Sequence, residues 1–334
     1  MSQLNTPISV GTTEISNRLV MPPMATALSA EDGLVTDKLC DYYDEKSCSG
    51  YIGLIITEHS YIRPDGKASP GQLSIADDSA GEGLKRLVSV MHNNGSKVFA
   101  QLNHAGGSTS KEISGYPIIS ASSVPAPRGK APDEVPHSMT VEEIEEVITA
   151  FAAAAMRAKK AGFDGVEIHS AHGYLLNQFY SPLTNKRTDE YSGCTIEGRI
   201  KFHLQVIKAV REAVGNDYPV ALRLGACDYR DGGSTIEDSV KAAEAFEKAG
   251  IDLIDISGGH CGYIRPDTSE PGYFSEITEA IKDKISIPVI LTGGIVEAES
   301  AEQMLRENKA DMIGVCRAIL KDSAWAETAI KRLG

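Results

Sequence analysis

Eight short apolar runs spread through 334 residues predict a closed barrel of eight parallel strands and intervening helices, a (β/α)8 fold. Two further observations point the same way. A Gly- or Ala-led turn entering such a run recurs three times, as KAGFDGVEI at 160–168, KAGIDLIDI at 248–256 and, more loosely, NKADMIGV at 308–315. No Gly-x-Gly-x-x-Gly follows the first run, which disfavours an open doubly wound sheet. The runs are 18–21, 53–58, 97–102, 165–169, 220–224, 253–257, 289–292 and 311–315. Several are continuously apolar, as strands covered on both faces must be. The chain reads as one domain, 1–334, which is ordinary for a barrel of this type.

In chain order, residues 8–15 carry the pattern of a β-hairpin around Gly11 and are expected to close the barrel floor. The segment 111–139 holds Pro117, Pro125, Pro127, Pro132 and Pro136, too many for a helix, and is read as a long loop over the catalytic face. Thr140 and Glu143 form a capping box that starts an alanine-rich helix, and Gly162 ends it. A second helix starts at Ser234-Thr235 and ends at Gly250.

Hydrophobic residues make up 42% of the chain, so a large core is expected. The net charge of −13 argues against nucleic acid or an anionic membrane as partner, and any anionic ligand needs a local positive site. No run approaches the roughly 18 apolar residues that span a bilayer, and the N-terminus lacks the pattern of a secretory signal. Six scattered cysteines, none in a Cys-x-x-Cys pair, fit free thiols in a reducing cytoplasm rather than a zinc or iron–sulfur site.

Barrel enzymes place their chemistry where strand C-termini enter loops. Here those positions carry Pro22, Pro23, Met24 and Ala25 after the first run and Glu58-His59 after the second. Gln101 to His104 close the third, and His169 closes the fourth with His172 and Tyr174 just beyond. Two imidazoles can polarise a carbonyl and hold developing enolate charge, and a phenol can deliver a proton. Metal binding by the histidines with Glu167 lacks a third identified ligand and is not expected. Arg223 inside the fifth run needs an acceptor: a bound anion, or a core carboxylate such as Glu58 or Asp255. Gly293-Gly294 and the segment from Gly314 to Arg317, with Cys316, fit a phosphate site, although a Gly-Gly pair also serves a plain tight turn.

These motifs resemble the Old Yellow Enzyme family of flavin-dependent ene-reductases, most closely its compact bacterial branch. The resemblance runs through Asn17 to Met24, Gln101 to Gly106, the stretch 169–193 with Asn185, Arg187 and Tyr191, and Arg317 to Asp322. It implies non-covalent FMN, with NADH or NADPH as reductant and an activated alkene as acceptor in a ping-pong cycle. By the same resemblance, Pro23, Met24 and Ala25 meet the flavin ring through backbone. Gln101 bonds its pyrimidine edge and Arg223 lies near its anionic edge, while Gly294, Cys316 and Arg317 hold the phosphate. His169 and His172 bind the substrate carbonyl, and Tyr174 protonates Cα once hydride has reached Cβ. A homo-oligomer is possible.

Five positions depart from the family pattern. Ala25 stands for a usual Thr or Cys that tunes the flavin, His59 for a small residue beside it, Gly107 for an arginine and Cys316 for a glycine. A tyrosine after the first strand is missing, with Leu28 nearby. Larger relatives append an iron–sulfur ligand set and a second nucleotide domain; neither follows Arg317, so electrons are expected directly from a nicotinamide. Alternative readings are a nitro reductase or dehydrogenase on the same flavin barrel, or a flavin-free lyase or isomerase acting on a phosphorylated substrate.

Overall fold

A computed structural model describes residues 2–127, 129–130 and 133–334; the expectations placed on Met1 and Pro132 lie outside it. Eight parallel strands form the barrel: β1 (Leu19–Met21), β2 (Leu54–Ile56), β3 (Lys97–Asn103), β4 (Gly165–Ser170), β5 (Val220–Cys227), β6 (Leu253–Gly258), β7 (Val289–Thr292) and β8 (Met312–Gly314). Each pairs with its neighbour in sequence, and β8 pairs with β1 through Ile313 beside Leu19, so the sheet closes on itself. All eight apolar runs correspond to barrel strands. The first, second and eighth strands are shorter than expected and the third to sixth extend further.

The three repeated turns behave alike. Helices Val141–Ala161, Ile236–Lys248 and Ala298–Arg306 each lead into β4, β6 and β8. The Thr140 capping box is formed, and Gly162 takes φ 95° at the helix end, a conformation that is strained for any residue with a Cβ. Thr235 caps the second helix with Asp238 as its reciprocal partner.

The strands alternate in what they bury. On β5 the odd positions Ala221, Arg223 and Gly225 face inward, whereas Val220, Leu222 and Leu224 pack outward into the large core beneath the helices. The same alternation on the other strands builds the barrel interior in layers. At the floor, Val20, Leu54, Ile56, Phe99, Ala221, Leu253, Ile290 and Met312 form one apolar cluster. The hairpin of Ile8–Val10 and Thr13–Ile15 turns at Gly11 (φ 54°), and its Val10 and Ile15 join that cluster. The hairpin therefore plugs the floor, as expected. Above the plug the inward positions turn polar, with Gln101, Glu167, Arg223 and Asp255 all buried.

The segment 111–139 is more structured than a plain loop. Ser110 caps a single helical turn, Lys111–Ser114, which Gly115 ends at φ 78° before the first proline. Residues Ile119–Ser120 then pair in parallel with His137–Ser138. The prolines exclude a long helix but leave room for both elements.

If the hairpin plug carries the floor, Ile15→Ala should lower stability by about 2–5 kcal/mol, the range for emptying a fully buried Ile site. Urea unfolding of the variant checks this; a midpoint equal to the wild type's would show that the hairpin is an ornament on a self-sufficient barrel.

Candidate active site

A cavity of about 500 Å³ opens at the C-terminal mouth of the barrel. Its lining brings together Pro23, Met24, Ala25, His59, Gln101, His169, His172, Tyr174, Arg223, Gly293, Gly294, Cys316 and Arg317. All of these were singled out from the sequence. Pro22, Glu58, Asn103 and His104, named with them, are buried and do not line the cavity. Ser257, Tyr263, Ile264, Tyr273 and Ile295 line it as well and carried no motif, as does Leu320 from the Arg317–Asp322 stretch.

The floor of the cavity is ionic. Arg223 Nε lies 3.1 Å from Asp255 Oδ2, and both side chains are buried. Of the two core carboxylates considered for Arg223, Asp255 is the partner; Glu58 instead accepts the Thr26 N–H at 2.7 Å and ties down the loop after β1. Gln101 Nε2 donates to Glu167 Oε1 at 2.8 Å, and Glu167 Oε2 has no hydrogen-bond partner in the structure. Burial, then the nearby Asp255 charge, hold Glu167 above the usual carboxylate range. Burial likewise raises Asp255, opposed by Arg223.

One wall is built by the turn after β4. His169 sits on the strand, while His172 takes φ 60°, a left-handed conformation that is uncommon without glycine. Asn177 Oδ1 accepts the Gly173 N–H at 2.7 Å, and Gln178 Nε2 donates to the Gly173 carbonyl at 2.7 Å. Both side chains are fully buried and hold the strained turn in place. Sequence reasoning passed them over; their signal was a pair of amides in the first turn of an otherwise apolar helix, Leu175–Tyr180. The turn places the His169 ring 5.2 Å from His172 and 5.1 Å from Tyr174, both edge-on. His172 Nε2 is 2.7 Å from Ser257 Oγ on β6. Burial, followed by the charges of His172, Arg223 and His59, pushes His169 well below the ordinary imidazole range. It is therefore a neutral hydrogen-bonding group at physiological pH rather than an acid.

The opposite wall is backbone. Gly293 and Gly294 have φ 156° and 68°, and a Cβ at either would come within 2.8–2.9 Å of the Tyr273 ring. Both conformation and contact thus demand glycine, so the tight turn is real whatever it binds. At Gly314 the constraint is contact alone, since a Cβ would meet Thr292 Oγ1 at 2.0 Å. Cys316 and Arg317 follow, and burial raises the Cys316 thiol to about 11, leaving it protonated. Among the described residues no disulfide joins the six cysteines. Among the described residues no group of His, Cys, Asp and Glu is arranged to hold a metal ion, and no helix is long and apolar enough to cross a membrane.

The chain is similar to known proteins over nearly its whole length. Residues 3–334 match the NADH:flavin oxidoreductase / NADH oxidase family. An NADH oxidase from Thermoanaerobacter brockii is 41% identical over 96% of the chain, which spans only 49% of that protein. An NADPH dehydrogenase from Halalkalibacterium halodurans is 39% identical, covering 96% of this chain and 91% of its own. The structure of an old yellow enzyme homologue from Zymomonas mobilis superposes with a TM-score of 0.87 at 27% identity, over 98% of this chain and 92% of that one. The chain spans about half the length of the NADH oxidase, so the activity of the whole protein is a separate question from its family. On these grounds the chain belongs to the NADH:flavin oxidoreductase / NADH oxidase family, the Old Yellow Enzyme group.

Proposed function

We propose that this barrel binds FMN and, with NADH or NADPH as reductant, reduces the activated C=C bond of α,β-unsaturated carbonyl compounds. One observation carries the reading: a single cavity has two imidazoles and a phenol on one wall and a glycine turn with Arg317 on the other, over a buried arginine. Family membership sets aside the flavin-free lyase or isomerase.

The residues present fit FMN. The Gly293-Gly294 turn and Gly314 leave backbone exposed where no side chain fits, and Arg317 adds a cation beside them for a phosphate. Gln101 and Arg223 offer an amide and a guanidinium from the floor, and Pro23, Met24 and Ala25 close a third side for a flat ring. When bound, FMN accepts two electrons from the nicotinamide and passes them to the alkene. One cavity has to serve both, so the reductant leaves before the acceptor enters.

The chain's own groups act on the acceptor. His169 and His172 are the pair placed to donate hydrogen bonds to its carbonyl oxygen. Those bonds strengthen as enolate charge develops, which is how an oxyanion site accelerates a reaction. Tyr174, on the same wall, supplies the proton to Cα. The rim is apolar, with Tyr263, Ile264 and Leu320 exposed around the mouth, and suits a neutral, hydrophobic acceptor. Six cysteines with no disulfide among the described residues accord with a cytoplasmic setting.

The first test is colour. The purified protein should be yellow, bleach with NADH or NADPH in the absence of oxygen, and recover its colour on adding cyclohexenone; persistent bleaching would refute ene-reduction. Phenols mimic the enolate, so His169→Ala or His172→Ala should weaken phenol binding at least roughly tenfold, as loss of a charge-assisted hydrogen bond predicts. Absorbance titration of the oxidised protein gives the dissociation constants, and wild-type affinity in both variants would remove the oxyanion role. Tyr174→Phe should leave bleaching by the nicotinamide intact and slow reoxidation by the alkene about 10²–10⁴-fold. Stopped-flow measurement of the two half-reactions separates these effects. Finally, Ala25→Cys should raise the flavin midpoint potential by roughly 10–30 mV, the equivalent of one added hydrogen bond. An unchanged value in spectroelectrochemical titration would count against Ala25 as a tuning position.

A further inference from the structure

His59 lines the cavity from the loop after β2, with 9% of its surface exposed. Its ring centre is 5.3 Å from that of Tyr174 and 6.2 Å from that of His169, so it stands on the side where the acceptor is proposed to bind. Buried Gln72 holds it from behind. Gln72 Nε2 lies 2.7 Å from His59 Nδ1 and 3.0 Å from the His59 carbonyl oxygen.

The Gln72 amide cannot be turned round, because its Oε1 accepts the Ala68 N–H at 2.6 Å and an NH2 group in that place would meet donor with donor. Asn103 Nδ2 also approaches Nδ1, at 3.3 Å. His59 Nδ1 therefore faces amide donors and is itself an acceptor. Burial, and then the charges of Lys130 and Arg223, lower the ring's pKa to about 4, so it is neutral. A neutral imidazole with a bare Nδ1 carries its proton on Nε2, on the edge of the ring away from Gln72. The cavity thus contains a third imidazole whose donor is fixed by its surroundings.

We infer that His59, with its tautomer set by Gln72, is a specificity-determining residue whose Nε2–H binds a second acceptor oxygen of the substrate. The site then prefers alkenes flanked by two carbonyls, such as ene-diones, over simple enones. The inference rests on the ene-reductase reading above. Its physical basis is asymmetry: a monocarbonyl acceptor covers this N–H without satisfying it, whereas a dicarbonyl meets it. A buried donor left unmet is worth on the order of ten- to a hundredfold in kcat/KM.

The test compares ketoisophorone, an ene-dione, with cyclohexenone, using FMN-loaded protein of measured flavin content. Wild type should favour the dione, and His59→Ala should lower the ratio of the two kcat/KM values by at least roughly tenfold, mainly through the dione's KM. Gln72→Glu supplies a readout that a packing role would not give. Its carboxylate can still accept the Ala68 N–H but also accepts a hydrogen bond from His59 Nδ1, so the neutral ring carries its proton on Nδ1 and Nε2 becomes an acceptor. The dione preference should fall at neutral pH and return under acidic conditions, as the imidazolium regains its Nε2–H beside the Lys130 and Arg223 cations and the His169 and Tyr174 rings. The same comparison is made by absorbance titration with phenol and para-hydroxybenzaldehyde, whose affinity ratio should follow the same order. If wild type reduces neither alkene, the ene-reductase reading fails, while the affinity ratio still decides the role of His59. Ratios unchanged within about twofold in both variants, or a parallel loss for both substrates with slowed bleaching by the nicotinamide, would overturn the inference.

Discussion

The buried pair of Arg223 and Asp255 is the constraint from which the upper half of the barrel follows. Register places Arg223 on β5 between His169 on β4 and Asp255 on β6, at the level where the interior changes from apolar to polar. Ion pairs this deep gain little over well-packed apolar residues, and removing one partner leaves a charge that nothing offsets. Glu167 makes the position more exacting, since two carboxylates share one guanidinium. Burial and the Asp255 charge keep the proton on Glu167, and Gln101 occupies one of its oxygens. The outcome is a guanidinium at the base of the cavity whose charge Asp255 alone offsets. An anionic ring edge or a developing enolate above it meets the donors of a paired arginine, in a chain whose net charge is −13.

Below this level the inward positions Val20, Leu54, Ile56, Phe99, Ala221, Leu253, Ile290 and Met312 are apolar. The hairpin completes that cluster with Val10 and Ile15, which cover the ionic layer from below. Dry walls strengthen every charge and dipole above them. They also account for the depressed imidazoles: His59 and His169 stay neutral chiefly because they are buried, then because of Lys130 beside His59 and His172 beside His169, with Arg223 behind both. A neutral imidazole with a defined tautomer is a hydrogen-bond donor of fixed direction, and that is what the proposed chemistry requires of both.

The strands and most of the site were legible in the sequence because each rests on a local rule. Apolar runs mark strands, a glycine after a helix marks the entry to the next strand, and chemically capable residues at strand ends mark the mouth. Arg223 was conspicuous because a guanidinium in an apolar run demands a partner. What stayed hidden depends on distances between segments remote in sequence. Asn177 and Gln178 gain their role only when their amides reach the Gly173 turn, and Gln72 becomes informative only beside His59. Pro22 lies buried beside the lining residues Pro23, Met24 and Ala25, a difference that a motif of consecutive residues does not reveal. The helical turn and strand pair within 111–139 were missed because prolines exclude a long helix without excluding short elements.

The two walls of the cavity are joined mechanically by Tyr273. Its ring presses on Gly293 and Gly294, and its hydroxyl donates to the Tyr263 carbonyl at 2.7 Å. Tyr263 belongs to the rim, and its ring lies 6.1 Å from that of His172. Arg265 anchors the same loop by contacts to Asp267 and Glu276, a bond to the Tyr273 carbonyl and a guanidinium 4.7 Å from the Tyr229 ring. The loop after β6 is therefore braced against the turn proposed to hold the phosphate on one side and the imidazole wall on the other. A change in Tyr263 or Ile264 alters what enters without disturbing the barrel, because both side chains are exposed. A change in Tyr273 reaches both walls at once, because the glycine turn has no side chains of its own with which to keep its shape.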